Sequence, residues 1–157
     1  MLETAHQQVV QLIEDFKTNS DYYLSPSYTE AAVRQDFIDK FFTALGWDVA
    51  HNHQKNPYQQ EVKVEKAQRQ EGSQAQKRAD YAFHLAPDYR TVQFFVEAKK
   101  PSRTLRKNQA DYFQTAKYGW NSQTGVSVLT DFEEFVIIDC RINCLVCRFY
   151  LWVWADC

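Results

Sequence analysis

From residue 91 the chain reads TVQFFVEAK, and its side chains sort by alternation. Val92, Phe94, Val96 and Ala98 share one face, and Gln93, Phe95, Glu97 and Lys99 share the other. RADYAFHL, residues 78–85, alternates the same way, with Ala79, Tyr81, Phe83 and Leu85 apolar and Arg78, Asp80, Ala82 and His84 opposite. The two stretches predict adjacent strands joined by a hairpin-type turn at APDY. TGVSVLTD and EEFVIIDC predict two further strands. Helical spacing appears elsewhere. Val9, Val10, Leu12, Ile13 and Phe16 form a stripe over residues 3–17. A second helix runs through AAVRQDFIDKFFTAL, opened by S-Y-T-E as a capping box from Ser27 to Glu30 and stopped at Gly46. A third spans residues 104–119 and ends near Gly119. GWDVA predicts a short strand, and the polar stretch 51–77 a loop with a strand near 61–66. This order of elements predicts an α/β domain with a mixed β-sheet flanked by helices.

The totals narrow the class. A chain of 157 residues fits one domain and can bury a core without a disulfide or metal staple. Apolar residues are 45% and charged residues 24%, ordinary for a soluble globular protein. The net charge of −2 argues against a strongly basic stand-alone nucleic-acid binder, yet suits a domain that gathers acids around a metal. MLETAHQQVV has neither the basic nor the apolar region of a secretory signal, and no apolar run is long enough to span a membrane. A cytoplasmic location is the expectation. The cysteines fall at 140, 144, 147 and 157, too bunched for a disulfide framework. The C-x3-C-x2-C spacing reads as buried or incidental thiols.

The chemistry concentrates at strand ends. If the strands at 78–85 and 91–99 are neighbours, Asp80 and Glu97 lie side by side on one face, with Lys99 one pleat beyond. Adjacent carboxylates repel, and a protein tolerates them when one is protonated or a cation sits between them. All-oxygen donors suit Mg²⁺ or Mn²⁺. Charged strand ends also occur with no function attached. Glu30 lies on the same helical side as Val33, Phe37 and Phe41 and wants a partner there, although the third position of a capping box accounts for it equally well. KKPSRTLRK, residues 99–107, carries five basic side chains and no acid. Phosphate contacts from Lys100, Arg103, Arg106 and Lys107 and a solvated helix face are both open readings. His51 and His53 sit in a polar loop, and His84 shares the face of Asp80.

Four segments in order carry a resemblance. TEAAVRQDFIDKFFTALGWDV, KRADYAF, FFVEAKKP and QTAKYGWNSQTGVSVLTDFEEFVIID together resemble the N-terminal nuclease domain of type I restriction subunits and of type IIG restriction–modification enzymes, in the PD-(D/E)xK nuclease superfamily. The resemblance covers roughly residues 28–140 and leaves 141–157 as a strongly apolar tail, either a last core strand or the point at which a longer protein was cut. It implies a restriction-endonuclease-like core and a Mg²⁺- or Mn²⁺-dependent endonuclease. Asp80, Glu97 and Glu30 would serve the metal with the carbonyl of Ala98, and Lys99 would position the water. Gln114 and Tyr118 would support the site or touch the DNA backbone; Gln109 with Tyr112 is the other pair that fits. Ala79 stands where the family pattern has proline. Double-stranded DNA is the implied substrate, with methyltransferase, helicase or specificity regions as partners, although no motif for either enzyme is present here. The alternative is a catalytically silent DNA-binding or protein-interaction module that keeps the nuclease fold.

Overall fold

The computed structural model describes residues 2–65, 78–141 and 148–152, with only the backbone of Arg106 and of 148–152. The elements run α1 (Leu2–Thr18), α2 (Ser20–Tyr23), α3 (Glu30–Val33), a π-helical turn Arg34–Ile38, α4 (Asp39–Ala44), β1 (Val62–Val64), β2 (Tyr81–His84), β3 (Val92–Ala98), a tight helical turn Leu105–Lys107, α5 (Gln109–Ser122), β4 (Val126–Thr130), β5 (Glu134–Asp139) and β6 (Arg148–Trp152). The strands form one six-stranded sheet whose spatial order follows the chain, β1-β2-β3-β4-β5-β6. Among the described strands only β3 and β4 pair in parallel, and α5 makes the crossover between them. The other pairs are antiparallel. The fold is α/β, a mixed sheet with helices on both faces, as the alternation predicts and as a restriction-endonuclease-like core requires.

Alternation builds the two halves of the core. Tyr81, Phe83, Val96 and Ala98 point to the face covered by α1, α3 and α4, where Phe16, Val33, Phe37, Ile38 and Phe42 meet them. Leu129, Val136 and Ile138 point to the other face, where Leu105, Tyr112 and Ala116 close over them. Glu97, out of phase with Val96 and Ala98, therefore faces α5.

Several local expectations need correction. The helix that starts at Glu30 is capped by Thr29, whose hydroxyl oxygen accepts the Ala32 N–H at 3.1 Å, while Ser27 pairs with Ser25 at 2.9 Å. Glu30 is thus the first helical residue rather than the third of a capping box. GWDVA forms no strand, because the Trp47 N–H returns to the Phe42 carbonyl at 3.1 Å and the chain continues in turns. Gly119 does not end a helix. It lies inside α5, which closes at Gln123 in the left-handed conformation (φ 56°). A Cβ at 119 would sit 2.6 Å from Cys140 Cβ and 3.0 Å from Ser127 Oγ, so this glycine lets helix and sheet approach each other. The apolar tail is partly accounted for, since β6 pairs with β5 along its backbone. Cys144, Cys147 and Cys157 lie outside the described residues, and Cys140 is a buried free thiol. No described helix is long and apolar enough to cross a membrane.

The β4–β5 turn carries a pH dependence. Asp131 is 2% exposed and accepts the Glu134 N–H at 2.7 Å. Burial, opposed by that hydrogen bond and reinforced by Glu133 and Glu134, raises its carboxyl to about 8. The folded state then holds a proton that the unfolded chain has released. This group's contribution is complete below the ordinary aspartate range and fades as pH climbs through about 8, by up to about 1.4 kcal/mol per pH unit. Asp131→Asn keeps the acceptor and removes the charge. Denaturant titrations should show it gaining on the wild type between pH 5 and pH 9; an equal pH response of the two proteins would contradict the assignment.

Candidate active site

The cluster assembles where β3 ends. The β2–β3 register pairs Ala82 with Phe95 and Tyr81 with Val96, and its continuation sets Asp80 opposite Glu97. One oxygen of Asp80 (Oδ2) accepts the Ala98 N–H at 2.8 Å. Beyond Ala98 the Lys99 N–H donates to the Thr130 carbonyl at 2.8 Å, so parallel pairing with β4 extends past the strand and fixes where Lys99 leaves it. The Lys99 ammonium turns back into the protein. Its Nζ donates to Glu97 Oε1 at 2.5 Å and to the Ala98 carbonyl at 3.0 Å, and stands 3.8 Å from Glu30 Oε2.

Helix α5 supplies the next layer. Gln114 Nε2 donates to Glu97 Oε1 at 2.8 Å and to the Tyr118 hydroxyl at 2.9 Å, and that hydroxyl donates to the Arg78 carbonyl at 3.1 Å. Tyr118 also lies beside Phe95, ring centroids 5.9 Å apart. Of the two pairs open from sequence, geometry selects Gln114 with Tyr118. Tyr112 is buried in the core between α5 and the sheet, and Gln109 begins the helix. The side of α5 with Tyr112 and Ala116 does pack on the sheet, yet Gln114 still reaches Glu97 past its edge.

Electrostatics single out Glu97. It is 4% exposed, and its second oxygen, Oε2, is buried without a hydrogen-bond partner. Burial lifts its carboxyl to about 7; Lys99 opposes the rise, and Asp80 and Glu30 add to it. Glu30 is raised as well, by burial first, against the pull of Lys99. An unpaired buried oxygen of this kind is costly, and a cation beside it would remove the cost. Asp80, Glu97 and the Ala98 carbonyl present oxygen donors only, the chemistry that fits Mg²⁺ or Mn²⁺. The fit has a limit. Among the described residues no three acidic, histidine or cysteine side chains are already gathered as a metal cage. Glu30 is turned to Lys99, and Asp80 Oδ1 is taken by Arg34.

Arg34 escapes the sequence reading. It sits four residues after Glu30, a spacing that puts both on one helical side. Its Nη1 donates to Asp80 Oδ1 at 2.7 Å, Nη2 to the Glu65 carbonyl at 3.1 Å and Nε to the Tyr81 hydroxyl at 3.3 Å. The guanidinium lies over the Tyr81 ring, 4.9 Å from its centroid, and the Tyr81 hydroxyl donates to Asp39 at 2.7 Å. The one available signal was the E-x-x-x-R spacing ahead of an apolar run.

The basic run divides. Arg103 is clamped by Asp111, at 2.5 Å and 3.0 Å, so a phosphate would have to compete with a carboxylate for it. Lys100 reaches the Pro26 carbonyl at 3.5 Å, Lys107 is exposed, and the side chain of Arg106 lies outside the described residues. His84 is far from the cluster, at the other end of β2 opposite Val92, and buried; His51 binds the Val62 carbonyl at 2.7 Å, and the exposed His53 stands 3.9 Å from Asp48.

Over 133 residues, 85% of the chain, the sequence is 36% identical to the type II restriction enzyme and methyltransferase RM.Eco57I of Escherichia coli. The chain spans 13% of the length of that relative. No family model matches the chain, and no solved structure does. The similarity relates the chain to a restriction–modification enzyme.

Proposed function

We propose that this domain hydrolyses phosphodiester bonds of double-stranded DNA with a divalent metal ion, Mg²⁺ or Mn²⁺, as the PD-(D/E)xK-type nuclease part of a restriction–modification system. The observation that carries the reading is the buried, unpartnered Oε2 of Glu97 beside a buried ammonium. Asp80 and Glu97, with the Ala98 carbonyl, would hold the ion. When bound, it would neutralise charge developing on the phosphate and acidify a water. Lys99 is positioned by Glu97, the Ala98 carbonyl and Glu30 to orient that water or hold a phosphate oxygen. Gln114, braced by Tyr118, keeps the Glu97 carboxylate from rotating, and Glu30 balances the lysine. Lys100 and Lys107 are the basic side chains best placed to follow the DNA backbone. The similarity to a combined restriction enzyme and methyltransferase supports a methyltransferase region as partner, and the place of action in this proposal is the cytoplasm.

Plasmid nicking tests the reading. Supercoiled DNA should be cut when Mg²⁺ or Mn²⁺ is supplied and left intact with chelator. Wild-type protein that folds but cuts with neither ion would sink the proposal. One observation favours the alternative of a silent module: the Arg34–Asp80 ion pair already neutralises a carboxylate that the metal would use. DNA binding without cleavage would decide for it.

A further inference from the structure

Asp80 has two oxygens, and both are engaged. Oδ2 is held by a backbone N–H that no metal displaces without breaking into the strand, and Oδ1 is held by Arg34. A cation that binds Asp80 through Oδ1 must share that oxygen with the guanidinium or replace it. Arg34 is built to be replaced at that one point. Its other contacts, to the Glu65 carbonyl, the Tyr81 hydroxyl and the Tyr81 ring, do not involve the acid. The fork can let go with Nη1 and stay parked by the rest. Its backbone opens the π-helical turn Arg34–Ile38, a widened turn that interrupts the helix between α3 and α4. Tyr81, in turn, is fixed from behind by Asp39.

We infer that Arg34 is a resident counter-ion of Asp80 that competes with the divalent ion for Oδ1, and so sets the metal affinity of the site. Arg34 is a positioning residue: without the ion it offsets the repulsion between two facing carboxylates, and with the ion its Nη1 is released as a free donor. This inference rests on the metal-dependent reading above.

The test reads metal binding alone, without DNA. Mn²⁺ is titrated calorimetrically into wild-type protein, Arg34→Gln and Asp80→Ala, with folding checked by circular dichroism. A charge-assisted hydrogen bond to a partly buried acid is strong enough that removing the competitor should tighten Mn²⁺ binding about tenfold. Asp80→Ala should lose most of the binding. Equal or weaker binding by Arg34→Gln overturns the inference while leaving the nuclease reading intact. If neither wild type nor Arg34→Gln binds Mn²⁺, the metal reading itself fails and takes the inference with it. Should Arg34→Gln not fold, the wild type alone decides by nuclear magnetic resonance. The Arg34 Nη–H signals, which report the bond to Asp80, should move in step with Mg²⁺ saturation, and unchanged Nη–H signals at saturation overturn the inference.

Discussion

Lys99→Ala should cut the proposed DNA cleavage by about 10²–10⁴-fold, the range of a positioned group that handles a proton or orients a nucleophile. The ammonium is buried and fixed by three oxygens on Glu97, Ala98 and Glu30, so no solvent-borne cation takes its place at the same geometry. Its loss acts twice. The reacting water or phosphate loses its donor, and Glu97 loses the group that opposes its upward shift. Glu97 then keeps its proton to higher pH, so the residual activity should move to more alkaline solution than the wild type's. Lys99→Arg is not a conservative repair, because a planar fork cannot occupy the space of a compact ammonium on three oxygens. Initial rates of plasmid nicking across pH 6–9, with DNA affinity measured separately in Ca²⁺, give the comparison. Cleavage by Lys99→Ala within about twofold of wild type would remove Lys99 from the mechanism.

Phe132→Ala should cost about 3–5 kcal/mol of folding stability, the usual cost of emptying a buried aromatic site. Phe132 is fully buried and stacks on Phe37 at 4.7 Å while touching Phe16 at 5.5 Å, so one ring joins the β4–β5 turn to α1 and to the helix that carries Arg34. It does so at a positive φ of 76°, a conformation that favours glycine. The Phe132 N–H to Thr130 Oγ1 hydrogen bond at 3.0 Å helps to hold it. Phe132→Gly separates the two effects: it relieves the backbone while removing the ring. If packing dominates, Phe132→Gly stays close to Phe132→Ala, with both melting about 6–20 °C below the wild type. A glycine variant as stable as wild type would mean that strain, not packing, governs this turn.

How much of this was legible beforehand follows from which forces are local. Strands β2 to β5 were readable because one buried face and one contrasting face leave a period of two, and Asp80 and Glu97 were found because charge at the end of such a run breaks the pattern. The packing role of Gly119 was hidden, since its contact with Cys140 links a helix to a strand over a distance in sequence that no local pattern records. Thr29 and Ser27 are both sound caps, and the choice between them depends on where tertiary packing starts the helix. Arg34 was overlooked for a related reason. An arginine on a helix is ordinary until the fold sets it against an acid 46 residues away. Of the two glutamine–tyrosine pairs that the sequence left open, only the fold decides which one meets Glu97, because the contact depends on how α5 lies against the end of β3.

The strand order carries a last consequence. Because neighbours in space are neighbours in sequence, every antiparallel rung whose connection is described can zip up locally, and among the described connections only the one between β3 and β4 is a long excursion of chain that must return. That closing event also delivers Gln114 to Glu97 and Thr130 to Lys99. A nascent chain therefore does not bring the Asp80–Glu97–Lys99 cluster together with its α5 and β4 partners until the least local of these contacts is made.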